Sequence, residues 1–90
     1  MIELKDTVEL MCSGDWRKRL VAQYALSCIY ADKARSEFPT EQHCLTYKIR
    51  VIDYQSSLDT FIRDVFTKNE VNDIYAWVFG NQPLTIFDKE

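Results

Sequence analysis

The sequence predicts an all-α fold: a small helical bundle built on a long antiparallel helical hairpin, with two shorter helices and a C-terminal tail. Three observations predict it. Apolar residues recur at three- and four-residue steps, the spacing of one face of a helix. The chain has only 2 Gly and 2 Pro, and they fall at the ends of those patterns, as Gly14, Pro39, Gly80 and Pro83. Good helix-capping residues, Asp15, Thr40 and Thr67, stand just before three of the segments. With 90 residues the chain is read as a single helical domain, 1–90, in which about residues 81–90 form an extended or flexible tail.

The first helix is expected over about residues 3–12, with Leu4, Val8 and Met11 on one face, and Gly14 stops it. The second runs from Trp16 to Glu37 behind the Asp15 N-cap. Leu20, Tyr24, Cys28, Ala31 and Phe38 form its main stripe, which Val21 and Ala34 widen. Pro39 ends it, because proline cannot continue the hydrogen-bond ladder.

Thr40 caps the third helix, and Glu41 in its first turn suits the positive end of the dipole. Its stripe, Cys44, Tyr47, Val51, Tyr54, Leu58, Phe61 and Val65, alternates three- and four-residue steps. Such a heptad-like seam marks a long helix packed along a neighbour. The fourth helix opens with a capping box, Thr67 and Glu70, flanked by Phe66 and Val71 as a hydrophobic staple. Val71, Ile74, Tyr75 and Val78 make its apolar face, and Gly80 is the expected C-terminal cap. Leu84 to Phe87 are apolar without helical spacing, which suggests a short extended segment docked on the bundle or on a partner.

Two of these helices carry more apolar surface than a hairpin buries. Leu26, Ile29 and Tyr30 lie opposite the main stripe of the second helix. Leu45, Ile49 and Ile52 lie away from the main seam of the third. Either the two short helices cover these residues, or they are contacts of a homo-oligomer with a shared core.

Composition narrows the function. The net charge is −3, and positive and negative side chains are mixed through both halves, so a duplex nucleic acid is a poor partner. No apolar run approaches the ~20 residues that span a bilayer. Cys12, Cys28 and Cys44 are odd in number and unclustered, which suits free thiols in a reducing compartment. The opening Met-Ile-Glu-Leu-Lys-Asp does not resemble a signal peptide, so a cytoplasmic location is expected.

Catalysis finds little to work with. His43 and Cys44 are adjacent, and neighbouring helical side chains point about 100° apart, too far for a Cys-His pair. Asp53, Asp59, Asp64 and Asp73 read as dispersed, solvent-facing carboxylates. Metal-ligand spacings and a Gly-rich phosphate loop are absent from the sequence, so no metal and no cofactor are expected. The chain is read as a binding protein and not an enzyme.

Two stretches stand out for binding. Arg17, Lys18 and Arg19 place three cations at a helix N-terminus, where the dipole prefers anions. With Trp16, and Tyr24 near by, they could hold a phosphate, a nucleotide or an acidic partner. Trp77, Phe79, Leu84, Ile86 and Phe87 crowd apolar bulk around a turn at 79–83, either as core or as a protein-binding patch.

The opening Glu3-Leu4-Lys5-Asp6-Thr7-Val8-Glu9-Leu10-Met11, followed by Ser13, Asp15-Trp16-Arg17-Lys18-Arg19-Leu20 and Gln23-Tyr24, resembles a family of small phage and prophage proteins of gut bacteria, named after crAss-like phages. The resemblance covers about residues 3–35, is looser at Val51, Tyr54 and Leu58, and does not reach residues 66–90. Ala25, Ser27, Cys28 and Ile29 depart from the charged, leucine-rich pattern of that family's second helix. It implies a helical hairpin and a phage protein at work in the bacterial cytoplasm. Small phage proteins without chemistry commonly act on host defences. The first expectation is therefore an anti-CRISPR-like inhibitor that contacts a defence protein directly. The others are an oligomeric sponge for cyclic nucleotide signals, and a structural or regulatory accessory protein.

Overall fold

The computed structural model describes residues 1–37 and 42–88, and side chains at all of these except 37 and 42–48. The expected Phe38, Pro39, Thr40 and Glu41 signals, and the side chains of His43, Cys44, Leu45 and Tyr47, lie outside the described residues. The described residues form an all-α globule, without strands among them. A 3-10 turn, Leu4–Thr7, leads into α1, Val8–Met11; then come α2, Trp16–Glu37, α3, Gln42–Val65, and α4, Lys68–Gly80. Helices α2 and α3 pack antiparallel, and α1 and α4 brace the same hairpin.

Helix α2 is the spine. The Asp15 carboxylate accepts from the Arg17 N–H at 2.9 Å, as an N-cap should. One broad face, from Val21 through Ala22, Ala25, Cys28 and Ala31 to Ala34, is buried. These small side chains let neighbouring helices approach closely. The hydroxyl of buried Ser27 donates to the Tyr24 carbonyl at 2.6 Å, which satisfies it within the helix.

Helix α3 is rotated from its expected orientation by roughly a quarter turn. Tyr54 and Phe61, expected in the seam, are 47% and 50% exposed, whereas Ile62 is fully buried. The face on the core runs through Gln55, Leu58, Asp59, Ile62, Val65 and Phe66. Two hydrogen bonds set the register of the hairpin: Tyr24 to Asp59 at 3.0 Å, and Gln55 to the Cys28 sulfur at 3.5 Å. Polar side chains thus occupy positions that a purely apolar reading assigns to solvent.

Helix α4 begins as its sequence predicts. The Thr67 N–H donates to Glu70 Oε1 at 2.9 Å, and the Glu70 N–H donates to Thr67 Oγ1 at 3.3 Å. The staple residues Phe66 and Val71 are both buried. Its C-terminus differs. Gly80 is the last helical residue, and Asn81 takes the left-handed conformation (φ 55°, ψ 23°) that stops the helix. Asparagine tolerates that region better than most residues.

The first segment also departs from expectation. Leu4 and Val8 are exposed, while Ile2 and Thr7 are buried. The chain starts as a 3-10 turn with about three residues per turn, so the i, i+4 face is not maintained. The Ile2 N–H donates to the Val78 carbonyl at 3.0 Å, which ties this segment to α4.

The tail docks on the bundle and ends in a turn at 86–88, where the Asp88 N–H donates to the Thr85 carbonyl at 3.1 Å. Leu84, Ile86 and Phe87 pack against the core. The Asp73 carboxylate accepts from the Thr85 N–H at 2.9 Å, the Thr85 hydroxyl at 3.1 Å and the Ile86 N–H at 3.1 Å. No described helix is long and apolar enough to cross a membrane.

Candidate functional site

The residues expected to bind an anion do not converge. The Arg17 guanidinium lies 4.7 Å over the Phe66 ring and pairs with Glu70 at 3.3 Å. Lys18 lies over Phe87, with 5.6 Å between its Nζ and the ring centroid. Arg19 donates to the Ser13 carbonyl at 2.9 Å. The three cations leave α2 in different directions, each to a partner within the chain, and Trp16 stands exposed beside them. Glu70, held below the ordinary carboxylate range chiefly by the Thr67 N–H, is the acidic partner of Arg17.

The C-terminal aromatic cluster does not form one exposed patch. Trp77 is buried, Leu84, Ile86 and Phe87 are packed on the core, and Phe79 alone of the five is exposed. Its ring stands 6.1 Å from that of Tyr75.

A polar network joins α2, α3 and α4. The Asp59 carboxylate accepts from Tyr24 at 3.0 Å, from Tyr75 at 2.5 Å and from Arg63 one turn on. Burial raises the Asp59 pKa, but the bonds from Tyr75, Arg63 and Tyr24 outweigh it and hold the group below its usual value. Burial pushes both phenols up, and the Asp59 charge adds to this. At neutral pH the tyrosines therefore donate and Asp59 accepts. Burial also pushes the Cys28 thiol up, so it stays protonated at neutral pH. Asp59 and Asp73 are thus not the solvated carboxylates that the sequence suggests; one joins three helices and the other holds the tail. Among the described residues no group of three His, Cys, Asp or Glu is placed to hold a metal ion.

One open feature is a groove of about 500 Å³ between α2 and α3. Gln23, Leu26, Ser27 and Tyr30 line it from α2. Arg50, Val51 and Tyr54 line it from α3. It is apolar along its floor, Tyr30 and Tyr54 stand half-exposed at its edges, and Arg50 supplies a charge. Of the residues expected as oligomer contacts, Leu26 and Tyr30 belong to this groove. Ile29 packs on the core instead, Ile52 is half-buried and Ile49 is exposed. The sequence reading missed Gln23, Ser27 and Arg50 as groove residues and assigned Val51 and Tyr54 to the core seam. Their signal was an apolar stripe broader than one neighbour requires.

No protein-family model, no curated protein and no solved structure matches this chain.

Proposed function

We propose that this protein acts by binding, as a phage-type inhibitor that contacts a bacterial defence protein directly through the outer face of the α2–α3 hairpin. The observation that carries the reading is the apolar groove with Tyr30 and Tyr54 on its rims. Half-exposed aromatics beside an apolar floor are the anchors that dominate protein interfaces. Placing the target in bacterial defence rests on the resemblance of residues 3–35 to small phage proteins, which also implies action in the host cytoplasm. A nucleotide-sequestering role has less support, because Arg17, Lys18 and Arg19 engage Glu70, Phe87 and Ser13 within the chain.

The test expresses the protein in bacteria that carry one defined nuclease-based defence at a time and measures phage plating. It is paired with co-elution of the purified protein and the defence effector. The expected result is increased plating against one system, a stable complex, and loss of both in Tyr30→Glu with helicity retained. Absence of protection and of complex with every effector tried sinks the reading.

A further inference from the structure

We infer that a second copy of this chain occupies the α3 side of that face, in an antiparallel two-fold pairing centred on Ser57. The inference rests on the reading of the hairpin face as a contact surface and names its first occupant.

Along α3, Val51, Leu58 and Val65 alternate with Tyr54 and Phe61 in three- and four-residue steps. This is the spacing of one helix packed along another. In the monomer that stripe lies along the margin of the core-facing side: Leu58 and Val65 touch the core but are only half-buried, Val51 is half-buried in the groove, and Tyr54 and Phe61 are exposed. A seam of this period calls for a further helix, and a heptad seam is matched by another of the same period.

The flanking charges say which helix. One heptad apart beside the seam stand Arg50, Ser57 and Asp64, all exposed. Among the described residues neither Arg50 nor Asp64 has an ion-pair partner. They cannot meet within one helix, because fourteen residues separate them by about 21 Å. Ser57 lies midway. When a second α3 runs antiparallel with its own Ser57 opposite, Arg50 of each copy faces Asp64 of the other, and the pair forms twice. A parallel pairing sets Arg50 against Arg50 and Asp64 against Asp64, which repel. The same antiparallel placement leaves Tyr54 only about 3 Å along the axis from Leu58 of the other copy, and Val51 the same from Phe61, so that a larger side chain sits beside a smaller one. Small Ser57 at the crossing lets the helices approach. The hairpin register, with Tyr24 against Asp59 and Cys28 against Gln55, puts Leu26 beside Ser57. Leu26 therefore extends the apolar contact from α2. The self-contact runs along this flank and not along the flank that carries Ile49 and Ile52.

The solution mass by light scattering or sedimentation at micromolar concentration is expected to be twice 10.6 kDa. Arg50→Glu and Asp64→Arg each replace two attractions with two repulsions, and each should raise the dimer dissociation constant by about tenfold. The double swap Arg50→Glu with Asp64→Arg should restore it, with helicity unchanged throughout. In a Cys12→Ser, Cys44→Ser background, Ser57→Cys should cross-link under mild oxidation. A monomeric mass, or a dimer indifferent to both single reversals, overturns the inference. A monomer that still blocks a defence system leaves the contact reading standing and removes only this one. A charge-dependent dimer without anti-defence activity does the reverse.

Discussion

At Asp59 three donors from three directions converge on one carboxylate, and Tyr24, Tyr75 and Arg63 leave it little lone-pair capacity unused. Hydrogen bonds to a charged group contribute about 1.5–3 kcal/mol each, less where water screens them as it does around exposed Arg63. Asp59→Asn removes the charge and turns an NH₂ toward hydroxyl donors, so a loss of about 2 kcal/mol is expected in urea unfolding. The pH dependence has a definite sign. The folded pKa lies below the unfolded value of about 3.9, so the contribution is fully present above that value and is lost as pH falls through the folded pKa. Wild-type stability should therefore fall on acidification below about pH 5 more steeply than that of Asp59→Asn. Equal slopes would mean that the network does not stabilise the charged form. Nearly one turn along the helix, the contrast between Ile62 and Phe61 tests the rotation of α3. Ile62→Ala should cost about 3 kcal/mol, since a fully buried aliphatic leaves a cavity. Phe61→Ala, measured in solution dilute enough to hold the chain monomeric, should stay within about 0.5 kcal/mol. The reverse order would put the expected heptad seam back in the core.

Elements whose signals are local are the ones that the sequence makes legible. The start of α4 needs only Thr67, Glu70, Phe66 and Val71, all within six residues, and each hydrogen bond forms as read. Thr67→Ala should therefore cost about 1 kcal/mol, with the far-UV signal of the folded state nearly unchanged. At the other end Asn81 carries the left-handed turn that the sequence reading gave to Gly80. Asn81→Gly should be neutral or slightly stabilising, whereas Asn81→Val should destabilise by about 1–2 kcal/mol, because a β-branched residue is strained there. Equal midpoints for the two would show that the cap is not held in that conformation. The orientation of α3 was not legible for a physical reason. Gln55 and Asp59 face the core because their partners are Cys28 and Tyr24, which are 27 and 35 residues away. Periodicity read from apolar residues alone skips them and selects the stripe beside them. The candidate site was half legible on the same grounds. Leu26 and Tyr30 stood out as surplus apolar residues on α2, whereas Val51 and Tyr54 were hidden in the misplaced seam. The basic triplet was visible, but the Glu70 that answers Arg17 lies 53 residues along the chain.

Over the whole molecule, the first and last described segments are both built into one thin core. Ile2 bonds to Val78, Arg17 clamps the starts of α2 and α4 together over Phe66, and the tail closes the side where Phe87 meets Phe66 edge-on at 6.4 Å. A domain of this size has about 5–13 kcal/mol of stability in total, so each closure is a sizeable share. Here the two readings of the C-terminal apolar residues, core layer or partner patch, make opposite predictions. Residues that close the core lower stability when truncated, with or without a partner. Residues held out for a partner change stability little and alter only binding. The packing of Leu84 and Phe87 against the core, and the Asp73 carboxylate that fixes Thr85 and Ile86 between them, favour the first. Leu84→Ala combined with Phe87→Ala should therefore cost about 2–3 kcal/mol, allowing for half-burial of both side chains. Hydrogen exchange should report the loss at α4 and at the start of α2 together, because Phe66 touches the tail and lies under Arg17. An unchanged unfolding midpoint would instead return these residues to the contact surface.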